Sequence, residues 1–122
     1  MTLSHIVDLL IGAILVLGMA FLFGGPPVRA CEPMVASHYG AESGSRTADG
    51  SFFDGTQMVA AHKTWKLGTP IRVTYQGKSV KLIVRDRGPY IRGRSLDIST
   101  AAARRLGMVK VGVARVCVTR LR

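Results

Sequence analysis

The stretch of residues 70–84 restricts the fold more than any other part of this chain. Residues 70–75 (PIRVTY) alternate apolar and polar side chains, residues 76–78 (QGK) are typical of a turn, and residues 79–84 (SVKLIV) resume the alternation. A period of two places the apolar side chains on one face of a strand. The stretch therefore predicts a β-hairpin, and with it a mainly β fold.

One helix is predicted after the hairpin. Ser99 is a suitable N-cap for residues 100–106 (TAAARRL), and Gly107 suits the left-handed position that ends a helix. Residues 111–118 (VGVARVCV) alternate again and predict a last strand, although alternation alone does not say which of its faces is buried. Short strands with one short helix indicate a small closed barrel.

The first thirty residues are of a different kind. Residues 9–23 form an unbroken apolar and glycine stretch, too short for a confident membrane span but suited to the apolar region of a signal peptide. Small residues at Val28 and Ala30 predict cleavage before Cys31. Because no Lys or Arg precedes the apolar stretch, an uncleaved N-terminal membrane anchor stays open. In both cases we expect residues 1–30 to export the domain of residues 31–122 to the periplasm or cell envelope.

Two cysteines, Cys31 and Cys117, bracket nearly the whole domain. In an oxidising compartment such a pair can form a disulfide, worth about 4–5 kcal/mol on the chain-entropy model for a loop of this length. The alternative is a lipoprotein with lipid on Cys31, since residues 28–31 loosely resemble a lipobox. We expect the disulfide.

Asp86 lies between Arg85 and Arg87, directly before Gly88 and Pro89. In an extended strand neighbouring side chains point to opposite faces, so the two arginines need not neutralise the carboxylate. Loops at strand ends often carry chemistry, whereas an Asp beside Gly-Pro also often accepts backbone hydrogen bonds in a turn. Both interpretations of Asp86 are open on local sequence.

Several short motifs follow one another in a fixed order. They are residues 37–40 (SHYG), 46–50 (RTADG), 53–54 (FD), 60–64 (AAHKT), 67–69 (LGT), 85–89 (RDRGP) and 94–99 (RSLDIS). This arrangement resembles the rare lipoprotein A (RlpA) family, over about residues 36–120. The resemblance implies a six-stranded double-psi β-barrel with a polysaccharide groove, similar to expansins and family-45 endoglucanases. It also implies lytic transglycosylation of peptidoglycan, in which the bond between N-acetylmuramic acid and N-acetylglucosamine breaks and a 1,6-anhydro ring forms.

The resemblance assigns roles to individual residues. Asp86 matches the acid of the family's D-R-G-P motif, and Asp97 matches the carboxylate that expansin-like relatives need, although an Asp before a Ser-capped helix can equally be structural. Because the sugar's own C6 hydroxyl attacks, one acid/base can serve both steps. The residues expected to contact substrate are Tyr39, Thr47, His62, Arg87, Tyr90 and Arg94.

Two positions depart from the family pattern. Ser51 stands where active members have a Glu that is implicated in activity, and His38 stands where a Trp is common. Ser51 cannot donate a proton as a carboxylic acid does. The alternative function is therefore a non-catalytic, expansin-like module that binds or loosens cell-wall glycan.

The basic composition narrows the partners. The chain has 17 Lys and Arg against 7 Asp and Glu, which attracts polyanions. Export argues against nucleic acid, whereas the carboxylates of peptidoglycan suit this charge. The basic residues expected to help hold glycan strands are Arg46, Lys63, Arg87, Arg92 and Arg94.

The histidines and cysteines show no metal-ligand spacing, so no metal and no other cofactor is expected. We expect a monomer that touches a membrane only through an uncleaved N-terminal segment or lipid on Cys31. Since the sequence ends at Arg122, shortly after the predicted barrel, we also expect no C-terminal septal peptidoglycan-binding domain.

Overall fold

Residues 31–122 are described by the computed structural model of the chain, and the expected signal peptide or anchor of residues 1–30 lies outside the described residues. The described part forms six strands, one α-helix and a single 3-10 turn, Ala41–Ser43. The strands and helix are β1 (Glu32–Tyr39), β2 (Val59–Ala61), β3 (Pro70–Tyr75), β4 (Lys78–Asp86), β5 (Leu96–Ser99), α1 (Thr100–Leu106) and β6 (Ala114–Arg120).

The predicted hairpin is present, with a longer second strand than expected. β3 has the predicted bounds, whereas β4 begins one residue earlier and ends at Asp86. The turn residues Gln76 and Gly77 both have positive φ, 46° and 79°, as a two-residue type I′ turn requires. Pairing therefore resumes at Lys78, and Asp86 is the last residue of its strand.

The predicted helix is also present with its predicted bounds. The Ser99 hydroxyl accepts a hydrogen bond of 3.3 Å from the backbone N–H of Ala102, which caps the first turn. Gly107 ends the helix in the left-handed conformation, with φ of 74°. The helix packs mainly against β4 and β5.

The predicted start of the last strand is wrong. The backbone N–H of Gly112 donates to the carbonyl of Met108 at 3.1 Å, and Gly112 has a φ of 73°, so this segment is a turn. Val111 is accordingly 55% exposed, and β6 begins only at Ala114. Val116 and Val118 are the buried residues of β6, which leaves Arg115 and Cys117 on its outer face.

The six strands close into a barrel in the order β1-β5-β2-β4-β3-β6. The pairs β1–β5 and β2–β4 are parallel, and the other four are antiparallel. The expected fold class, a six-stranded double-psi β-barrel with one short helix, is thereby confirmed. In this ring β3 lies three places from β5 in either direction, so the two strands are on opposite sides of the barrel.

The barrel has its own core and a covalent closure. Its largest fully buried side chains are Ile71, Leu82, Leu96, Ile98, Leu106 and Met108. The expected disulfide joins Cys31 to Cys117, with Cα atoms 5.2 Å apart, and ties the chain before β1 to β6. Residues 31–122 therefore contain a closed barrel, its complete core and its disulfide, and we treat them as an independent folding unit. No helix within this range is long and apolar enough to cross a membrane.

Candidate active site

A groove with a volume of about 470 Å³ lies at one end of the barrel. Polar residues of β1, β4 and β5 line it, among them Ser37, Asp86 and Asp97. Of the residues that the sequence predicts for catalysis or binding, those that line the groove are Tyr39, Arg46, Asp86, Arg87, Tyr90, Arg94 and Asp97. Both candidate carboxylates thus open into one cavity.

Strand register explains why the two carboxylates meet. Ala61 on β2 pairs with Asp97 on the neighbouring strand β5 and with Asp86 on β4, its neighbour on the other side. Since adjacent strands are about 4.8 Å apart, the Cα atoms of the two acids are roughly 10 Å apart. The small side chain of Ala61 leaves the space between them open.

Asp97 is, like Asp86, a partly buried acid of the site. The Ser37 hydroxyl, in register with it on β1, donates a hydrogen bond of 3.1 Å to its Oδ1. Burial raises the pKa of Asp97 to about 6, and the negative charge of Asp86 acts in the same direction, while Ser37, His38 and Arg94 lower it. An acid with this pKa is present in both protonation states near neutral pH.

Asp86 is held by the backbone. Its Oδ1 accepts hydrogen bonds from the N–H of Ala48, at 3.0 Å, and of Arg87, at 2.9 Å. These bonds fasten the loop of residues 46–51 to the end of β4. Asp86 therefore accepts backbone hydrogen bonds, as its structural interpretation expects, and it also lines the groove.

The two arginines that flank Asp86 bind elsewhere, as strand alternation predicts. Arg85 forms an ion pair of 3.1 Å with Asp49. Arg87 donates from Nη1 to the carbonyls of His62, at 3.2 Å, and Trp65, at 2.6 Å. The negative charge of Asp86 is consequently not cancelled by its neighbours in sequence.

Tyr39 lies beneath both acids. Its ring is 7% exposed and stacks on Phe53 with a centroid distance of 4.7 Å. Its hydroxyl oxygen is buried and forms no hydrogen bond with any residue of 31–122. Burial first, then the charges of Asp86 and Asp97, and also the approach of the phenol O–H to the Asp86 carboxylate, raise its pKa far above the ordinary value for Tyr. The phenol thus stays protonated, with its O–H near the Asp86 carboxylate but without a full hydrogen bond to it.

Four of the residues expected to contact or hold glycan do not line the groove: Thr47, His62, Lys63 and Arg92. The Thr47 hydroxyl donates to Asp49 within its own loop. His62 Nδ1 accepts backbone hydrogen bonds from Thr64, at 3.1 Å, and Trp65, at 3.0 Å, and its ring stacks on Trp65 at 3.9 Å. Burial lowers the pKa of His62. The imidazole therefore stabilises the turn after β2.

The residue at the family's Glu position also lies outside the groove lining. The backbone N–H of Ser51 donates at 2.9 Å to Asp49 Oδ1. Hydrogen bonding by the Ser51 and Thr47 side chains, more than this backbone bond, holds the pKa of Asp49 below its usual range. The same loop reaches the site through the bond between Ala48 and Asp86. A substitution in this loop can thus affect Asp86 through the backbone, even though the side chain at position 51 does not line the groove.

Sequence reasoning missed several groove residues, among them the polar residues Ser37 and Glu42. Ser37 belongs to a recognised motif, yet its contact with Asp97 depends on the parallel pairing of β1 with β5. Glu42 lies in the 3-10 turn, and its Oε1 accepts a hydrogen bond of 2.8 Å from the backbone of Gly40. No local pattern in the sequence indicates Glu42. Among the described residues, no group of three His, Cys, Asp or Glu side chains could hold a metal ion.

Comparison of the sequence with known families gives one match, over residues 32–118, to the family described as lytic transglycolase. The probable endolytic peptidoglycan transglycosylase RlpA of Nostoc sp. is 47% identical over 94 residues, which cover 73% of this chain and 25% of the relative. The corresponding protein of Aquifex aeolicus is 41% identical over 105 residues, which cover 80% and 46%. The endolytic peptidoglycan transglycosylase RlpA of Pseudomonas aeruginosa is 48% identical over 84 residues, covering 66% and 25%. The chain thus matches less than half the length of these relatives.

Solved structures share the barrel. The Streptomyces papain inhibitor has a TM-score of 0.62 at 21% identity, over 79% of this chain and 100% of that chain. An expansin of Clavibacter michiganensis has a TM-score of 0.61 at 20% identity, over 76% of this chain and 50% of that chain. At this identity the similarity establishes the fold alone.

Proposed function

This chain belongs to the RlpA-like family of double-psi β-barrel lytic transglycolases, and from that premise we propose that it cleaves the glycan strands of peptidoglycan. The bond broken joins N-acetylmuramic acid to N-acetylglucosamine, and the product ends in 1,6-anhydro-N-acetylmuramic acid. The observation that carries the proposal is the placement of Asp97 and Asp86 on either side of Ala61 in one groove.

Asp97 is the proposed acid/base. Its protonated carboxyl donates to the glycosidic oxygen as the bond to C1 breaks. The C6 hydroxyl of the same muramyl residue then attacks C1, and its proton returns to the Asp97 carboxylate. Asp97 thus regains the proton that it donated, and no water molecule takes part. A pKa of about 6 allows both proton transfers near neutral pH.

Asp86 is proposed as the fixed negative charge. Its carboxylate faces Asp97 across Ala61, and two backbone hydrogen bonds hold it in place. A preorganised anion stabilises the oxocarbenium-like charge that develops at C1. The resemblance matches Asp86 to the acid of the family's D-R-G-P motif; we instead propose Asp97 as the acid/base, because burial keeps it partly protonated.

The rim of the groove supplies binding contacts. Tyr90 is 80% and Ile91 56% exposed, which gives an apolar surface on which a sugar ring can pack. Arg46 and Arg94 lie in the same lining and suit the muramyl and peptide carboxylates of peptidoglycan. Tyr39 offers its unused hydroxyl from below.

The second candidate is the non-catalytic glycan-binding module. The observation that favours it is Ser51, where active relatives are expected to have Glu. The fold is shared with an expansin, and a variant of that expansin has been crystallised with cellohexaose. Such a module uses the same groove to bind glycan without breaking a bond.

Digestion of purified sacculi decides between the candidates. Intact and peptide-stripped sacculi are incubated with the protein, and mass spectrometry of the soluble products looks for anhydromuramyl ends. Release by the parent, and none by Asp97→Asn that still binds sacculi, supports the transglycosylase. Binding without any anhydro product supports the module. A Ser51→Glu variant that gains release where the parent has none identifies the missing acid as the cause.

We propose that the domain acts in the cell envelope as a monomer. The disulfide between Cys31 and Cys117 fits an oxidising compartment, and the named relatives act on peptidoglycan. Export by cleavage after Ala30 to the periplasm is the finer form of this proposal. N-terminal sequencing of the secreted protein tests it.

A further inference from the structure

Charge is segregated within the barrel. Residues 55–84 carry five Lys or Arg and residues 98–122 carry six, and neither range contains an Asp or Glu. The acids of the described residues are Glu32, Glu42, Asp49, Asp54, Asp86 and Asp97. β3, β6 and α1 are therefore free of acids, and β4 carries its acid only at the groove end.

The outer surface of β4, β3 and β6 gathers part of this charge. Arg72 on β3 pairs directly with Lys81 on β4, and both side chains are exposed. Like charges placed directly opposite each other in a sheet are destabilising. Arg72 pairs with Thr119 on its other side, and Thr74 and Ser79, which hydrogen-bond at 2.7 Å, lie next along the same face. We call this surface, centred on Arg72 and Lys81, the basic face.

The basic face is separate from the groove. It is centred on β3, which lies across the barrel from β5, the strand that carries Asp97. Neither Arg72 nor Lys81 lines the groove described above. A glycan strand seated between the acids therefore leaves the basic face for another partner.

We propose that the basic face docks on an anionic phospholipid bilayer. The phosphates of such a bilayer are complementary to a surface that offers cations and hydroxyls, and each Lys or Arg near the bilayer contributes to binding. The chain also enters the barrel at this side, because Cys31 is bonded to Cys117, which pairs with Thr74 on the same outer surface.

Docking in this way has a functional consequence. With β3 against the bilayer, β5 and the groove face away from it, toward the wall. The proposal does not depend on the chemistry in the groove, since a glycan-binding module would be oriented equally.

Vesicle co-sedimentation of residues 31–122, the folding unit without the apolar stretch, tests the proposal. We expect binding to phosphatidylglycerol vesicles, weakening as salt is raised, and little binding to phosphatidylcholine vesicles. Arg72→Gln/Lys81→Gln should weaken the partition coefficient roughly tenfold or more. Lys81→Glu should weaken it further while raising the melting temperature, because Arg72 then faces an opposite charge.

The matched control is Arg46→Gln/Arg92→Gln, which removes the same charge from exposed positions outside the basic face. It should retain most of the vesicle binding. An equal loss in control and basic-face variants would mean that net charge alone acts and would overturn the proposal, as would equal binding to both kinds of vesicle. Variants that bind vesicles normally but lose affinity for purified sacculi would also overturn it and make the basic face a wall-binding surface.

Discussion

The Ser37 hydroxyl donates a 3.1 Å hydrogen bond to Oδ1 of Asp97 from the neighbouring parallel strand. This bond favours the carboxylate, whereas burial and the charge of Asp86 favour the protonated acid. The pKa of about 6 for Asp97 is thus the balance of opposing contacts. One substitution can remove the Ser37 hydroxyl, and another can remove the negative charge of Asp86. The first should raise the pKa of Asp97, and the second should lower it.

Ser37→Ala should move the pH profile of glycan cleavage upward. Loss of the donor raises the pKa of Asp97, so the falling limb, where the acid loses its proton, shifts to higher pH by about one unit. The measurement is kcat/KM for release of anhydro products across the pH range. Ser43→Ala, which removes another hydroxyl from the groove lining, is the control and should leave the limb in place. An unshifted limb in Ser37→Ala would show that Asp97 does not govern it.

Asp86→Asn should move the same limb downward and slow the reaction. The neutral side chain no longer raises the pKa of Asp97, and loss of a fixed charge at the reacting centre costs on the order of 10²–10³ in kcat. Asn Oδ1 can still accept from Ala48 and Arg87, so the melting temperature should change little.

Asp86→Ala separates the structural role of this carboxylate from its charge. It leaves two backbone donors without their acceptor and should lower stability by about 1–3 kcal/mol. If Asp86→Asn destabilises as much as Asp86→Ala while its limb does not move, Asp86 is purely structural.

Asp97→Asn should make the protein more stable at neutral pH. The folded-state pKa of about 6 lies above the ordinary value of 3.8, so the folded state binds more protons in this window and the stability from Asp97 is lost as pH rises through 6. With allowance for its partial exposure, the variant should exceed the parent by on the order of 1–2 kcal/mol at pH 7.5 and match it near pH 4. Urea denaturation at both pH values measures this difference. A variant that is less stable than the parent at pH 7.5 would contradict a destabilising, partly buried carboxylate.

Local signals in the sequence were sufficient for the hairpin and the helix. The alternation of residues 70–84 and the Ser99 and Gly107 caps report contacts within a few residues. β2 carries no such signal, because its three residues, VAA, are all buried and do not alternate. The start of β6 was misplaced because the valines before Ala114 continue the alternation through a segment that Gly112 turns.

Prediction of the site residues relied on the motif resemblance, whereas their contacts follow from strand pairing between residues distant along the chain. The resemblance identified Asp86 and Asp97, which both line the groove. It also predicted substrate contacts for His62 and Thr47, whose side chains form hydrogen bonds within turns. Membership of a motif does not distinguish a group that faces substrate from one that shapes the loop. The raised pKa of Asp97 could not be read from the sequence, because it follows from burial between strands that are distant along the chain.

Removal of the disulfide should cost stability without abolishing the site. The bond closes a separation of 86 residues, so Cys31→Ser/Cys117→Ser should lower the free energy of unfolding by about 4 kcal/mol on the chain-entropy model. Because Cys117 lies on the outer face of β6, away from the groove, activity per folded molecule should be retained. Urea denaturation and sacculus digestion at low temperature check the two parts. Loss of activity in a variant shown to be folded would contradict this separation.

Tyr39→Phe should stabilise the free protein and impair its action on glycan. The hydroxyl is buried and forms no hydrogen bond within residues 31–122, so its removal relieves a desolvated polar group and should raise stability by about 1 kcal/mol. The stack on Phe53, at a centroid distance of 4.7 Å, is kept by the substitution. A donor without a full hydrogen bond in the free protein, in the same groove as Asp86 and Asp97, can be satisfied by a substrate oxygen, and its loss should raise KM or lower kcat roughly tenfold. Thermal unfolding with and without glycan separates the two effects, since ligand-induced stabilisation should be smaller in the variant than in the parent. Equal stabilisation by glycan together with unchanged kinetics would show that the hydroxyl never meets the substrate.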